Sequence, residues 1–445
     1  MDRSLLEVES RLDELSSRGL ATAVSRAIRE GALLPGTRLP AIRTVAGELG
    51  VSPTTVSAAW ALLARSGTIR TDGRRGTTVA DRQRPASLRY QRALDRNTAF
   101  RIDLSTGVPD PALLPDLSRA LGALTDAATP GSYLDDPVLP ELAEVLRAQW
   151  PFAADDLTVV DGAMDGIELA TRVLVGFGDR VAVEHPAFPP LLDLLESRGA
   201  EVIGVAVDAS GMTADGLRAL PTVTAVYLQP RAQNPTGVSL TAERAAELAD
   251  VVRCTSAAVI EDDSAGAVAA TDPISLGQWL PERTVHVRSF AKSHGPDLRL
   301  AALSAPEDIA RRISALRQLG QGWSSRLLQR LLHGLLTDGH SVRAVAHARA
   351  VYAERRSAMV AALGEHGIAV GGTDGINLWV PVADETAAVV RLASQGIGVA
   401  PGAPFAVRAG APPHIRVTVG LLARGHDEVA AAIAAAARGS VRISV

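Results

Sequence analysis

An apolar run, Val285–Val287, breaks into the polar loop Ser289-Phe290-Ala291-Lys292-Ser293-His294-Gly295-Pro296-Asp297-Leu298-Arg299, which holds the only lysine among 45 basic residues. Such a run reads as a strand ending where a rigid sheet presents its functional groups. Arginine and lysine serve equally well as solvated surface charges, and the lean toward arginine fits inherited codon bias. They are not equal as nucleophiles. A guanidinium stays protonated, whereas a lysine amine can be neutral and attack a carbonyl. Lys292 is therefore either a chance survivor on the surface or the seat of covalent chemistry.

Other segments decide between the two. Val159-Val160-Asp161-Gly162-Ala163-Met164 reads as a strand turning into a helix over Asp165–Val175, although a plain strand–helix connection has the same look. Gln233-Asn234-Pro235-Thr236-Gly237 is turn chemistry. Val259-Ile260-Glu261-Asp262-Asp263 is an apolar strand closed by two aspartates, a pattern that an exposed turn also produces. His414-Ile415-Arg416-Val417-Thr418-Val419 places an arginine inside an apolar strand, facing either a ligand or solvent.

Together with Glu184-His185-Pro186-Ala187-Phe188-Pro189, these segments in this order resemble the fold-type I pyridoxal 5'-phosphate (PLP) enzymes, the class I/II aminotransferases. The resemblance implies an α/β fold: a large domain with a mostly parallel sheet and a smaller α+β domain. It implies that Lys292 forms a Schiff base with PLP. Ser289 and the fork-shaped Arg299 would hold the cofactor phosphate, with the backbone N–H groups of Gly162, Ala163 and Met164 at a helix N-terminus. Phe188 would stack on the pyridine ring, and Asn234 would donate to its 3′-oxygen. Asp262 would pair with the ring nitrogen and keep it protonated. Arg416 would clamp the carboxylate of an amino-acid ligand. Tyr133, in Gly131-Ser132-Tyr133-Leu134-Asp135-Asp136-Pro137, resembles a tyrosine that reaches the phosphate from the partner subunit of a homodimer, although the glycine expected after Pro137 is absent. Ser264 stands where the family usually has a tyrosine, and it is too short for the same contact. Weak transamination follows as an expectation.

The first 80 residues are a separate module. Leu20, Val24 and Ile28 are spaced for the buried stripe of a helix over Arg18–Gly31. A turn-rich connector follows at Leu34–Pro40. A second helix spans Ile42–Leu49 and stops at Gly50, and a third spans Thr54–Ser66 behind Ser52 as N-cap and Pro53 at the first helical position. Val56, Trp60 and Leu63 face inward. Ile69–Thr71 and Thr77–Ala80 flank Asp72-Gly73-Arg74-Arg75-Gly76 as a hairpin with a basic tip. This is a winged helix-turn-helix. Arg43, Ser52, Thr54 and Thr55 stand where contacts to double-stranded DNA fall, and Arg74 and Arg75 could enter a minor groove. Residues 17–80 hold nine arginines against three acids, a net charge of +6 in a chain of net −4, so the rest carries −10. A basic module on an acidic body is an electrostatic footprint for DNA.

The stretch Leu39-Pro40-Ala41-Ile42-Arg43 through Val56 resembles the GntR-type DNA-binding domain, with Pro53 where an arginine is common. Joined, the two halves resemble the MocR (GabR-like) regulators over nearly the whole chain. The expected division is a DNA-binding domain at 1–80, a polar linker at 81–100 and an aminotransferase-like domain at 101–445. The linker could span about 65 Å when extended. The first ~16 residues are spaced like a short amphipathic helix, and Glu428–Ala437 reads as an alanine-rich helix.

Composition sets limits on the rest. The single cysteine, Cys254, excludes a disulfide within the chain. The acidic N-terminus is no signal peptide, and no apolar run approaches membrane-span length, so a cytoplasmic protein is expected. No His/Cys cluster has metal-ligand spacing. Two functions compete: a regulator that senses a small amine or amino-acid effector, and a working aminotransferase with an accessory DNA-binding module. A third keeps the fold without the cofactor, as a dimerisation platform. The full DNA module favours the regulator, and Ser264 counts against the enzyme.

Overall fold

The computed structural model describes residues 3–65, 68–72, 76–80, 89, 100–122, 124, 135–154 and 156–439. Tyr133, Arg74, Arg75 and all of the linker except Arg89 and Phe100 lie outside them. The described residues fall into two compact units. One is drawn from 1–92, 175–181 and 190–202, the other from 93–174, 182–189 and 203–445.

In the first unit, helices α1 (Arg3–Glu9), α2 (Ser17–Arg29), α3 (Ile42–Leu49) and α4 (Pro53–Arg65) accompany a small sheet of strands β1 (Arg38–Leu39), β2 (Ile69–Asp72) and β3 (Gly76–Val79), in the order β1-β3-β2. The inward residues Leu20, Val24, Val56, Trp60 and Leu63 are all buried, in one cluster with Val45, Leu49, Ile69 and Val79. Leu5 and Val8 of α1 close that cluster, so the N-terminal segment is part of the module's core. Ser16 caps α2 by accepting from the Gly19 N–H at 3.0 Å, and Gly50 ends α3 at φ 65°.

Boundaries shift by one or two residues. Helix α2 runs from Ser17 to Arg29, whereas α4 starts at Pro53, the first helical position expected behind Ser52. A larger difference lies in the connector: Leu34–Pro40 contains β1, paired antiparallel with β3 through Arg38↔Thr78 and Leu39↔Thr77. A strand of two residues has no local periodicity, so only its remote partner defines it.

The second unit is organised around one large sheet. Strands β5 (Asp156–Val160), β6 (Arg180–His185), β7 (Glu201–Asp208), β8 (Gly211–Met212), β9 (Ala225–Leu228), β10 (Ala258–Asp263), β11 (Thr284–Ser289) and β12 (Ala301–Ala305) form one sheet, ordered β5-β12-β11-β10-β9-β6-β7-β8. Strands β9, β10 and β11 run parallel, and β12 is antiparallel to both of its neighbours. Near-continuous apolar strands such as β9 and β12 are what a sheet covered on both faces requires. The helix Ala163–Leu174 lies close on one face. A Cβ added at its Gly166 would sit 3.1 Å from Val160, 3.2 Å from Val287 and 3.3 Å from Leu303, so glycine lets the helix approach the sheet.

A smaller layer holds β13 (Leu378–Pro381), β15 (Ala400–Pro401) and β16 (His414–Val417), ordered β13-β16-β15. Beside it β4 (Ile102–Asp103) runs parallel with β14 (Ile397–Gly398). Its core gathers Leu378, Val380, Ile415 and Val417 with Val429 and Ile433 of the C-terminal helix His426–Ala437.

Candidate functional site

The pleat of β10 sorts its three acids. Successive side chains point to opposite faces of a strand, so Glu261 and Asp263 share one face and Asp262 takes the other. On the shared face each acid meets a buried base: Glu261 Oε2 lies 2.6 Å from His286 Nδ1, and Asp263 receives two bonds from Arg231 at 3.2 and 2.6 Å. Arg231 holds the Asp263 carboxyl below its ordinary range despite the burial that opposes it. Among the described residues no base forms an ion pair with Asp262. Burial raises its carboxyl to about 6, with the Gln229 hydrogen bond and the nearby Lys292 charge pulling the other way. Its Oδ1 is buried with no hydrogen-bond partner among the described residues.

Lys292 is the second residue of the short helix Ala291–His294 that follows β11. Its Nζ is 3.3 Å from Ser264 Oγ and 3.4 Å from the Ser264 carbonyl oxygen. Burial lowers the amine's pKa, and the Arg416 cation adds to that while Asp262 opposes it. A lysine lowered in this way is closer to the neutral, nucleophilic form.

Around this centre the chain brings the other expected residues together. Asn234 is buried beyond the end of β9, in a turn held by Gln233, whose Oε1 accepts from the N–H and hydroxyl of Thr236. Arg416 is 1 % exposed, which rules out the solvent-facing alternative. It donates to the Ser105 carbonyl and, at 3.5 Å, to Asn234 Oδ1, with its guanidinium carbon 5.2 Å from the centre of the Phe405 ring. Gly107 makes room for it: at φ 71°, a Cβ there would lie 3.1 Å from Arg416 Nη1. Arg299 is exposed in a left-handed conformation (φ 49°), and its guanidinium lies against Gly162, where a Cβ would be 3.5 Å from Nη2. Ala163 and Met164 open the next helix, which starts two residues earlier than its apolar spacing suggests. Ser289 ends β11, and Phe188 is half-buried.

This set has the donor chemistry that PLP requires. The unpartnered Asp262 Oδ1 suits a ring N–H, and Lys292 is a lowered amine beside it. Gly162 offers bare backbone next to the Arg299 fork, as a phosphate demands. Among the described residues no group of His, Cys, Asp and Glu could hold a metal ion.

Residues that the sequence does not single out complete the site. Gln229 bonds to both Asp262 and Ser264, and Glu184 accepts from the Gln229 N–H at 3.0 Å. An acid closing the apolar run Val181–Val183 is a usable signal for Glu184. Gly107 and Phe405 have none, because their roles depend on Arg416 arriving from a remote strand.

Burial raises the Glu184 carboxyl from 4.5 to about 8, against hydrogen bonds from Gln229 and Gln233 that favour the charged form. The group is therefore neutral at pH 7. With the folded value above the unfolded one, folding takes up a proton. The associated stability is fully present below pH 4.5 and is lost as pH rises through about 8. Glu184→Gln is neutral at every pH and keeps an acceptor for Gln229. Urea unfolding should show this variant losing less stability than the wild type between about pH 5 and 8, by a difference on the order of 3 kcal/mol. Parallel pH profiles would mean that Glu184 is ionised in the fold.

In the first unit, Ser52 Oγ accepts from the Thr55 N–H at 3.0 Å and lies 2.6 and 2.8 Å from the Thr54 and Thr55 hydroxyls. This knot fixes the start of α4. Ser52, Thr54 and Arg43 are exposed and Thr55 half-buried, so α3 and α4 present polar groups outward at the turn between them.

Fold and site together define a class: a winged DNA-binding module ahead of an aminotransferase-like domain. Residues 101–433 match the family described as aminotransferase class I and II, and residues 16–79 match bacterial regulatory proteins of the gntR family. The vitamin B6 salvage pathway transcriptional repressor PtsJ of Salmonella typhimurium is 35% identical, over 92% of this chain and 96% of that protein. The pyridoxine biosynthesis transcriptional regulator PdxR of Corynebacterium glutamicum is 30% identical, over 78% of each chain. A kynurenine aminotransferase of Pyrococcus horikoshii shares the fold at a TM-score of 0.71 and 22% identity, covering 80% of this chain and 94% of that one. The chain belongs to the class I and II aminotransferase family, in the MocR-type combination with a gntR-family DNA-binding domain. No described helix is long and apolar enough to cross a membrane.

Proposed function

We propose that this protein is a cytoplasmic, homodimeric transcriptional regulator that binds PLP at Lys292 and an amine or amino-acid effector beside it, and so controls its hold on double-stranded DNA. The observation that carries the reading is the pairing of a lysine amine, lowered by burial, with a buried Asp262 whose second oxygen is unpartnered. In this reading residues 1–80 bind DNA, 81–100 form the tether and 101–445 form the sensor. Bound PLP would supply an aldehyde carbon for exchange between amines and a ring that withdraws electrons. The chain's own residues would do the rest. Ser289, Arg299 and the N–H groups of Gly162, Ala163 and Met164 hold the phosphate, joined by Tyr133 of the partner subunit. Phe188 covers one face of the ring, Asn234 holds its 3′-oxygen, and Asp262 keeps its nitrogen protonated. Arg416 binds the effector's carboxylate. For the effector to act, it must bind the DNA-competent and DNA-free states unequally.

Ser264 limits turnover in this reading, because its short hydroxyl meets Lys292 Nζ only at 3.3 Å and offers weak control of the amine's proton. Rapid transamination with common amino donors would favour the enzyme instead.

A second reading makes the cofactor itself the signal. It is favoured by two relatives whose names tie them to vitamin B6 salvage and pyridoxine biosynthesis. Titrating PLP alone, then amino acids, into a DNA-binding assay separates the two: a response complete with PLP identifies the cofactor as effector.

On the DNA side, Arg43→Ala should weaken binding of every sequence alike and reduce the salt slope by about one, as expected for one lost phosphate contact. The same loss is proposed for Arg74 and Arg75 of the wing. An unchanged slope for Arg43→Ala would remove α3 from the interface.

A further inference from the structure

One buried amide connects separate parts of the site. Gln229 follows β9 and is 6 % exposed. Its Nε2 donates to Asp262 Oδ2 at 2.6 Å and to Ser264 Oγ at 3.1 Å. Its Oε1 accepts from the Asn234 N–H at 2.7 Å, and its own backbone N–H donates to Glu184. Both ends of the side chain are therefore committed to residues of the site.

The direction of these bonds matters. A carboxylate turns broadly about its last torsion and can present either oxygen. An amide nitrogen only donates, so its short bond engages one oxygen of Asp262 and leaves Oδ1 as the acceptor. Oδ1 is the atom with no partner. The opposite end of the same amide sets the first residue of the Asn234 turn, and its second bond sets Ser264, which touches Lys292. No other described side chain donates to Asp262.

We propose that Gln229 is the positioning residue of the site, orienting Asp262 toward the ring nitrogen of the cofactor while holding Asn234 and Ser264 in register with it. The proposal rests on the PLP reading above. Leucine at this position would fill the space but leave both Asp262 oxygens buried without a donor. A carboxylate so deprived takes up a proton more readily, and a protonated one cannot accept from a ring N–H.

The test measures PLP affinity of the full-length protein as a function of pH, by fluorescence quenching, for wild type, Gln229→Leu and Gln229→Asn. Asparagine keeps the amide but is one methylene too short to make both contacts. Gln229→Leu should bind PLP about tenfold more weakly, with the acid limb of the affinity profile moved up by about one pH unit, as the loss of a hydrogen bond to a charged group implies. Gln229→Asn should shift in the same direction by less, and it decides the matter if the leucine variant does not fold. A packing role alone would weaken binding without moving the acid limb. Variants that keep the wild-type limb, or bind within about twofold of wild type, overturn the proposal and leave the PLP reading standing. A wild type that takes up no PLP overturns both.

Discussion

Lys292→Ala is expected to abolish retention of PLP through desalting, and with it the visible absorption band of the wild type. The effect is all-or-none because the chain has no second lysine to substitute, and the 44 arginines cannot form the bond. The substitution also changes the electrostatics of its neighbour. The Lys292 cation helps to hold the Asp262 carboxyl near 6 against burial, so its removal should raise Asp262 further and weaken even non-covalent binding. A visible spectrum of both proteins after incubation and desalting, with circular dichroism to verify folding, is the measurement. A band in the alanine variant would mean that the cofactor is held elsewhere, and no band in either protein would leave the fold as a platform without PLP.

Arg416→Lys should be the next most severe. Lysine keeps the charge but loses the planar fork, and a bidentate contact to carboxylate depends on that fork. The change also breaks the bonds to Ser105 and Asn234 that hold the guanidinium under Phe405. Affinity for amino acids, read from spectral shifts of the PLP-loaded protein, should fall by about 100-fold, in line with a loss of about 3 kcal/mol from a buried charged pair. Amines without a carboxylate should respond as they do with wild type. An equal loss for both ligand classes would show that Arg416 supports the site's shape and does not read the carboxylate.

Both experiments address residues that stand out in the chain before any coordinates. A single lysine among arginines, an acid pair closing an apolar strand and an arginine within another apolar strand are each chemically conspicuous. Strands β10, β11 and β16 appear where their apolar runs lie, and α3 has the bounds that Gly50 and its spacing imply. What escapes is short or dependent on partners. Strand β1 has two residues and exists through β3, and α1 belongs to the core of that module only because Leu5 and Val8 join a cluster with residues of later helices and strands.

Residue chemistry and local periodicity, which a chain carries along its length, were enough to determine the two modules and their order and to single out Lys292 in the second. The choice between a buried and a solvent-facing Arg416 belonged to tertiary structure, because it depends on Ser105, Gly107 and Phe405 converging from distant segments. So did the sorting of Asp262 from Asp263, which turns on which face of β10 meets Arg231 and which meets Gln229. Burial and orientation are properties of the packed neighbourhood, and no window of sequence contains the neighbours that set them.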